Sequence, residues 1–370
     1  MTRLALVGAG HAHLHLLAHA GRLREAGLEA VLVAPARFDY SGQATGVLSG
    51  AMGREAASLD IAALAKAAEV AHHPTQVSAI DLASGRLMLA DGAPLDFDLV
   101  SFNIGSVARD RQALSGQPGV WPVKPLANLF AFHSWLATEM ARRARSPQVV
   151  IAGAGQTGFE VAAAVAGLAV RHGVTPRICV VGDAPGAWAP GRAGQHLRQA
   201  LERRGVVFEM GEVVARTASA CQLADGRSLP CDALVLATGL EAPPLIGALG
   251  LPVGADGRLR VSPQMRSVAD PRVFAAGDCA VVDGAGRPAA GVFGVRAAPI
   301  LLANLIAAAT EKPLKAYRPQ ARWLSIMDLG DGTGLAVRGR LWSHGRAALW
   351  LKRRLDLGFV ARAGRLRPGA

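Results

Sequence analysis

Two glycine-rich turns, each placed between a short apolar strand and a helix, constrain this chain more than any other feature. The first is Gly8-Ala-Gly10-His11-Ala-His13, directly behind Leu4 to Val7; the second is Gly153-Ala-Gly155-Gln-Thr-Gly158, directly behind Val149 to Ala152. In such a turn the first glycine permits the tight bend and the second lets backbone approach a pyrophosphate. The free N–H groups of the helix N-terminus then face the anion. The second turn is a complete G-x-G-x-x-G, whereas in the first His13 stands where the third glycine would be. Alone, the first could be an ordinary strand-to-helix turn. Two such turns in one chain imply two nucleotide-binding units with one dinucleotide each.

The rest of the sequence agrees with that reading. At 370 residues the chain exceeds one comfortable core, and roughly 150 residues per domain gives two or three. Half of it is hydrophobic (51%), 43 residues are Gly and only 5% are aromatic, the balance of an α/β protein rich in small residues and not of a disordered chain. The start, Met1 to His13, carries no basic n-region, apolar h-region or small-residue cleavage site, so a cytoplasmic protein is expected. Cys179, Cys221, Cys231 and Cys279 form no C-x-x-C pair and match no zinc spacing; they read as reduced, mostly buried thiols, and no metal is expected. The most apolar long stretch, Val149 to Val170, contains Gln156, Glu160 and the turn glycines, which makes it strand, turn and helix and not a membrane span.

The chain carries a net charge of +12, which favours anionic partners such as phosphates, nucleic acid or an anionic membrane. Nine of its Lys and Arg lie between Arg338 and Ala370 against Asp356 alone, so about two-thirds of the excess sits in the tail.

The organisation follows from the two turns. Leu28 to Ala34 is a continuous apolar run suited to a parallel strand buried on both faces. Leu87 to Leu89, Asp98 to Phe102 and Ile178 to Val181 read as further strands. Ser115 to Pro125, rich in Gly and Pro, reads as a crossover into the second unit, and Leu240 to Pro263 as a crossover out of it. Arg272 to Asp278 and the helical run Pro299 to Thr310 return to the first unit. The expected domains are therefore 1–114 with 262–317, discontinuous; 115–261; and a C-terminal region, 318–370. Leu234-Val-Leu-Ala-Thr238-Gly239 and Val273-Phe-Ala-Ala-Gly277-Asp278 each end an apolar strand in small residues, as needed where backbone passes close to a bound cofactor. Asp278 adds a carboxylate for a ribityl hydroxyl, with a helix N-cap as its alternative.

Taken in this order, the paired glycine turns, the Thr238-Gly239 strand and the Gly277-Asp278 strand resemble the pyridine nucleotide-disulfide oxidoreductase superfamily over nearly the whole chain. Within it the likeness is to the type II NADH dehydrogenase and sulfide:quinone reductase branch. Gly10-His-Ala-His13, Tyr40-Ser-Gly42, Asp98 to Ser106, Pro122-Val-Lys-Pro125 and Gly291 to Arg296 resemble the dehydrogenase-like proteins associated with selenide, water dikinase. The resemblance implies an α/β fold of two doubly wound, Rossmann-like domains of the glutathione reductase kind. It implies FAD on the first unit, near Gly8, Gly10, His11, Ser41, Gly42, Gly105, Gly277 and Asp278. NADH or NADPH would lie on the second, near Gly153, Gly155, Gly158, Glu160 and Gly239.

Two departures stand out. No acid lies near Ala34-Pro35, where one commonly binds the FAD ribose, so backbone or Arg37 must take that contact. Gly182 stands where an acid is expected after the strand Ile178 to Val181, and Asp183 follows it as the candidate for a nicotinamide-dinucleotide ribose.

The implied activity is an FAD-dependent NAD(P)H dehydrogenase passing electrons to a small-molecule, quinone-like acceptor, with no nucleic-acid partner. No redox cysteine pair is present, which argues against disulfide reduction. Sulfide or selenide:quinone oxidation would need a flavin-proximal thiol, for which Cys279 is the candidate, with a small buried filler as its alternative. A third reading is a flavin-binding redox sensor or selenium-assimilation partner with a vestigial NAD site. Hydride transfer from nicotinamide to flavin needs no protein nucleophile, because the cofactor carries the chemistry. Lys124, between two prolines, is a candidate cationic partner for reduced flavin, with a plain surface lysine as its alternative. His11, His15 and His19 share a helical face but lack neighbouring acids or Cys in sequence, so helix-surface histidines, with His11 near the pyrophosphate, are expected and not a metal site.

In the tail, Leu351, Leu355 and Phe359 fall at i, i+4 and i+8, with Trp350 and Leu357 nearby, forming an apolar stripe. Lys352, Arg353, Arg354, Arg362, Arg365 and Arg367 surround it, the composition of a helix lying in an anionic membrane interface. The competing reading packs the stripe on the flavin unit or on a partner subunit. Peripheral contact with the cytoplasmic membrane face follows from the first.

Overall fold

The computed structural model describes residues 1–109, 114, 116–143, 146–189 and 192–364. Ser115, at the start of the expected crossover, and the tail cations Arg365 and Arg367 lie outside the described residues. The elements that carry the argument are, along the chain, β1 (Thr2–Val7), α1 (His11–Ala18), β2 (Leu28–Val33), β3 (Ala71–His73), β4 (Leu99–Phe102), β5 (Val120–Pro122), α2 (Leu126–Arg143), β6 (Gln148–Ala152), α3 (Gln156–Arg171), β7 (Arg177–Val181), β8 (Val206–Glu209), β9 (Ala233–Leu236), β10 (Val273–Ala275), α4 (Gly291–Ala309), β11 (Ser325–Asp328), β12 (Gly334–Arg338), β13 (Leu341–Gly345) and α5 (Arg346–Gly364).

Two five-stranded parallel sheets result. The first has the order β10-β4-β1-β2-β3 and the second β5-β9-β6-β7-β8. Successive strand residues point to opposite faces, and here both faces are covered. Leu4 and Leu6 of β1 pack with α1 and α4 through Leu14, Leu17, Leu301 and Leu305. Ala5 and Val7 face Val100, Phe102, Val273 and Leu259 on the other side. In β6, Val149 and Ile151 join Phe159, Val165 and Phe132, while Val150 and Ala152 join Cys179, Cys221, Cys231 and Leu223. Continuous apolar runs are what such doubly covered parallel strands require.

Several expectations need correction. The expected crossover Ser115 to Pro125 contains β5, which pairs in parallel with β9, because even a three-residue apolar segment is drawn into an open sheet edge. Pro299 lies inside α4, which starts at Gly291. The helix after the first turn breaks at His19 into His11–Ala18 and Ala20–Glu25. The antiparallel hairpins Val77–Asp81 with Arg86–Leu89, and Ala220–Leu223 with Ser228–Pro230, add small sheets on the flanks of the two units.

α4 is the one described helix long and apolar enough to cross a membrane by length and composition, and half of it is buried in the protein. Leu301 and Leu305 are fully buried against α1, so the protein itself supplies its apolar surroundings.

The C-terminal region forms an antiparallel sheet, β11-β12-β13, followed by α5. Met327, Leu329, Leu335 and Val337 enter the core of the second unit. Close approach is set by Gly167 of α3, where a Cβ would collide with the Gly330 carbonyl. Gln156 at the start of α3 donates through Nε2 to Ser325 Oγ at 2.7 Å. The C-terminal region is thus seated on the helix that begins at the second glycine turn.

Candidate functional site

A cavity of about 770 Å³ opens at the end of β1 and is lined by both units. At its floor Gly8 has φ +88°, and a Cβ there would lie 2.6 Å from the Asn103 carbonyl oxygen. A Cβ on Gly10 would lie 2.5 Å from Asn103 Oδ1. Asn103, just past β4, organises this end of the sheet. Its Oδ1 accepts from the backbone N–H of Ala12 (2.9 Å) and His13 (3.2 Å), and its Nδ2 donates to the Ala276 carbonyl (2.6 Å). Part of the α1 N-terminus is therefore already satisfied by protein.

The missing third glycine has a physical replacement. His13 is fully buried, with Nδ1 2.6 Å from the Gly8 carbonyl and Nε2 2.8 Å from Ser101 Oγ. A carbonyl only accepts, so Nδ1 carries the proton and Nε2 accepts from the serine hydroxyl. Burial lowers the imidazole pKa to about 4, consistent with that neutral form.

The sequence-derived residues fall out as follows. Gly8, Gly10, His11, Arg37, Ser41, Gly105, Gly277, Asp278 and Lys124 all line the cavity. Gly42 does not; it packs under the Tyr40 ring, because the turn there directs its backbone toward α5. Cys279 does not either: it is fully buried, its Sγ 3.5 Å from the Ala276 carbonyl and 3.6 Å from that of Phe102. Burial pushes this thiol up to about 12, so it is a core filler and not a nucleophile at the cavity. His11 lines the wall beside Gly291, and burial holds its pKa near 4. The His15 and His19 rings meet tilted at 40°, their centroids 4.2 Å apart, and among the described residues no group of three or more His, Cys, Asp or Glu could hold a metal ion.

No acid stands at Ala34-Pro35 itself, but Asp39 lines the same end of the cavity with Pro35, Arg37 and Thr75; Arg37 is paired with Glu55 at 2.6 Å and Asp39 with Arg54 at 3.2 Å. At the other end Lys124, from the second unit's lead-in, donates to Ser106 Oγ (2.9 Å) and Asp278 Oδ2 (3.1 Å). Ser106 donates to the same oxygen at 3.0 Å. The Lys124 and Asp278 side chains are 20% and 14% exposed, so this pair is a component of the site and not a plain surface lysine. Asn103, Ser106 and Thr75 also line the cavity, beyond the residues expected from the sequence. Asn103 and Ser106 lie within the Asp98 to Ser106 motif, which offered a signal; Thr75 offered none.

The second turn divides its labour differently. At Gly153 φ is +118° and a Cβ would strike the Ala237 carbonyl, and a Cβ on Gly158 would strike the Gly153 carbonyl. Gly155 has nothing within 4 Å, so its face is open to an approaching phosphate. Its φ and ψ are extended and no side chain caps α3, which leaves the helix N–H groups available. Gly182 is demanded by packing, since a Cβ there would meet the Ala154 Cβ at 2.6 Å; the acid is displaced to the exposed Asp183. Gly239, at φ +114°, accepts from Arg109 N–H at 3.0 Å and opens the ribbon Leu240–Glu241 with Val107–Ala108 that ties the units together.

Glu160, half-buried on α3, does not line the first cavity; desolvation raises its carboxyl to about 7, with Lys352 opposing and Asp328 and Asp356 adding to the shift. The α5 face that packs inward is Leu349, Lys352, Asp356, Phe359 and Ala363, so Lys352 is 9% exposed and not part of a cationic surface. Leu355 is 49% exposed, against the expected stripe, because the inward face is offset from it by about one residue.

The Pyridine nucleotide-disulphide oxidoreductase family model matches residues 2–299. The chain is 30% identical over 296 residues to the biphenyl dioxygenase system ferredoxin–NAD(+) reductase component of Paraburkholderia xenovorans, covering 75% of this chain and 67% of that protein. It is 28% identical over 193 residues to the type II NADH:quinone oxidoreductase NdhA of Mycobacterium tuberculosis, covering 46% of this chain and 41% of that one. Against a probable ferredoxin reductase of Castellaniella defragrans the chain spans 48% of the relative's length. Similar folds include the sulfide:quinone oxidoreductase of Aquifex aeolicus, at TM-score 0.82 and 14% identity over 100% of this chain and 93% of that one. The NDH2 of Plasmodium falciparum in complex with NADH aligns at TM-score 0.81 and 11% identity over 99% and 96%. With two glycine turns on two parallel sheets and a family match across four-fifths of its length, the chain belongs to the pyridine nucleotide-disulphide oxidoreductase family.

Proposed function

We propose that the chain is an FAD-dependent NAD(P)H dehydrogenase, with FAD on 1–114 and 262–317, the nicotinamide dinucleotide on 115–261, and a quinone-like acceptor. The observation that carries this is the cavity of about 770 Å³ that runs from the α1 N-terminus to the Lys124–Asp278 pair, beside a second, open glycine turn. The cavity is long, polar at both ends and floored by two glycines that leave room for a pyrophosphate. FAD, when bound, would supply the two-electron chemistry there. Asp278 and Ser106 present acceptors and a donor for the polyol chain, Asn103 holds Gly8 and Gly10 in place, and Lys124 supplies positive charge from the other unit. Asp183 and the open N–H groups at Gly155 serve the nicotinamide dinucleotide. Sulfide or selenide oxidation is disfavoured, because no cysteine lines the cavity among the described residues.

Anaerobic mixing of the purified flavoprotein with NADH or NADPH is expected to bleach the flavin, and a soluble short-chain quinone is expected to restore its colour. Absence of bleaching by either nucleotide would leave the redox-sensor reading in place. Bleaching followed by reoxidation by a ferredoxin, with no response to quinone, would replace the acceptor.

The quinone reading is favoured by the outer face of α5. Trp350 is 60% and Leu357 58% exposed, Arg353 and Arg354 are exposed, and the Arg354 guanidinium lies 5.5 Å from the Trp350 ring centroid. Beside them on β13, Leu341 is 77% and Trp342 38% exposed. Apolar rings among arginines suit the interface of an anionic membrane, where each cation contributes on the order of 1 kcal/mol. Removing the tail would disturb the core, because the inner face of α5 is packed. The informative variant is therefore Arg353→Glu with Arg354→Glu, both on the solvent side. Co-sedimentation with anionic vesicles is expected for the parent chain and to fall at least ~10-fold for the double variant, with neutral vesicles binding neither. Equal sedimentation of the two proteins would remove α5 as an anchor.

A further inference from the structure

A second cavity, of about 40 Å³, lies behind the Gly277–Asp278 turn, and neither glycine turn explains it. It is bounded by the parallel ribbon of Leu259–Val261 with Ala280–Val282, by residues of the loop 283–290 and by the first turns of α4. The partition between the two cavities is thin. Gly277 lines both, Asp278 only the first; Gly291 and Gly294 of α4 face the first, whereas Phe293 and Ala297 face the second.

Two guanidinium groups are set into an otherwise mostly apolar wall. Arg258 and Arg287 line the cavity, and among the described residues no Asp or Glu does. Arg258 is committed on one side: its Nε pairs with Asp256 Oδ2 at 2.5 Å and its Nη1 donates to the Arg287 carbonyl at 2.9 Å. Its Nη2 has no acceptor among the described residues. That contact also fixes the Arg287 backbone at the cavity. The Arg287 side chain has no ion-pair partner among the described residues, and its Nε is buried without an acceptor. Tyr317, buried in the same wall, spends its hydroxyl proton on the Phe293 carbonyl at 3.3 Å, so Arg287 is left as the open donor.

An N–H that has given up water and found no acceptor is rare in folded proteins, because its desolvation is uncompensated. Water in the cavity would satisfy the N–H and leave the charge unbalanced. An anion satisfies both. Asp256 balances Arg258, so one positive charge remains, which matches a monoanion. The planar fork of a guanidinium fits the two coplanar oxygens of a carboxylate. The alanine, valine and Phe293 carbons of the wall suit a short alkyl body, which sulfate and phosphate lack. Size sets the limit: at roughly 10–15 Å³ per water the cavity has room for about three, which admits a short aliphatic acid and excludes one that carries a ring.

We propose that this second cavity is a binding site for a short-chain monocarboxylate, whose oxygens accept from Arg287 Nε and Arg258 and whose alkyl end lies among the alanines and Phe293. The site is separate from both dinucleotide turns. Its occupant sits behind the backbone segment that carries Asp278, on the side away from the first cavity. Nothing in the functional reading requires it, and it stands whichever dinucleotide the first cavity holds.

The test is a calorimetric titration of the protein as purified, at constant ionic strength in a carboxylate-free buffer, with sodium acetate and propionate set against chloride, sulfate, phosphate and benzoate. Acetate or propionate is expected to saturate one site per chain, at least ~10-fold more tightly than any of the other four. Arg287→Met keeps the backbone carbonyl that Arg258 holds and removes the open donor; it should weaken binding at least ~10-fold. Ala285→Leu keeps both charges and adds a side chain at the cavity wall, and it should weaken binding by a similar factor. Loose attraction to surface arginines would respond to the first variant alone. Melting curves in chloride establish that each variant is folded, and if Arg287→Met is not, Ala285→Leu decides. No saturable binding of acetate or propionate by the parent, tighter binding of sulfate or phosphate, or parental affinity in folded Ala285→Leu would overturn the proposal. No nicotinamide or acceptor enters the titration, so its failure and that of the functional reading are separate results.

Discussion

Gly10→Val protein is expected to purify without flavin. The added side chain would begin 2.5 Å from Asn103 Oδ1, on the face where the pyrophosphate must approach. Either Asn103 shifts, releasing the Ala12, His13 and Ala276 contacts that shape the turn, or the side chain occupies the phosphate position. Both outcomes remove binding energy at the most crowded point of the cavity. A loss of about 3 kcal/mol or more corresponds to at least ~100-fold weaker FAD binding. The absorbance ratio of flavin to protein after gel filtration measures it. Full flavin retention by this variant would show that the first turn is not where the cofactor's phosphates lie.

Gly155→Val should give the complementary result, a fully flavinated protein that NAD(P)H cannot bleach. The surroundings of Gly155 are empty to 4 Å and its backbone is extended, so a valine fits without disturbing the fold. The new side chain instead stands in the path of a dinucleotide phosphate approaching the α3 N-terminus. The rate of anaerobic bleaching is expected to fall at least ~100-fold, with flavin content and melting temperature unchanged. Bleaching at the parental rate would exclude this turn as the nicotinamide site. The two variants separate cleanly because the glycines differ in kind. Gly10 is walled by Asn103, whereas Gly155 faces open space.

Much of this was legible in the chain. The two glycine turns announced two dinucleotide units, since only glycine satisfies a bend at φ +88° or +118° with a carbonyl pressed against the missing Cβ. Val149 to Ala152 and Leu4 to Val7 announced buried parallel strands, because polar residues are absent from both of their faces. The resemblance extended this to cofactors, and most of the residues named for the first turn do line one cavity.

Other features were hidden for physical reasons. β5 is only three residues long and its parallel pairing with β9 depends on a partner more than a hundred positions away, beyond any local periodicity. His13 reads as a failed glycine until its two ring nitrogens are seen to be bonded to Gly8 and Ser101. Cys279, beside Asp278 in sequence, is buried in the core while Asp278 lines the cavity, because the two lie in a 3-10 turn, whose successive residues point about a third of a turn apart.

The tail shows the division most clearly. Its sequence determined that Ala347 to Val360 forms a helix with an apolar stripe among cations, for helical periodicity and composition are local properties, and the helix runs from Arg346 to Gly364. It did not determine which stripe faces the protein, since Leu351-Leu355-Phe359 and Leu349-Lys352-Asp356-Phe359 differ by a small rotation about the helix axis. Tertiary structure chose the second, with Lys352 inward, because the Gly42 carbonyl and Asp356, itself held by the Tyr40 hydroxyl, offer a buried ammonium group the partners that apolar packing alone could not supply.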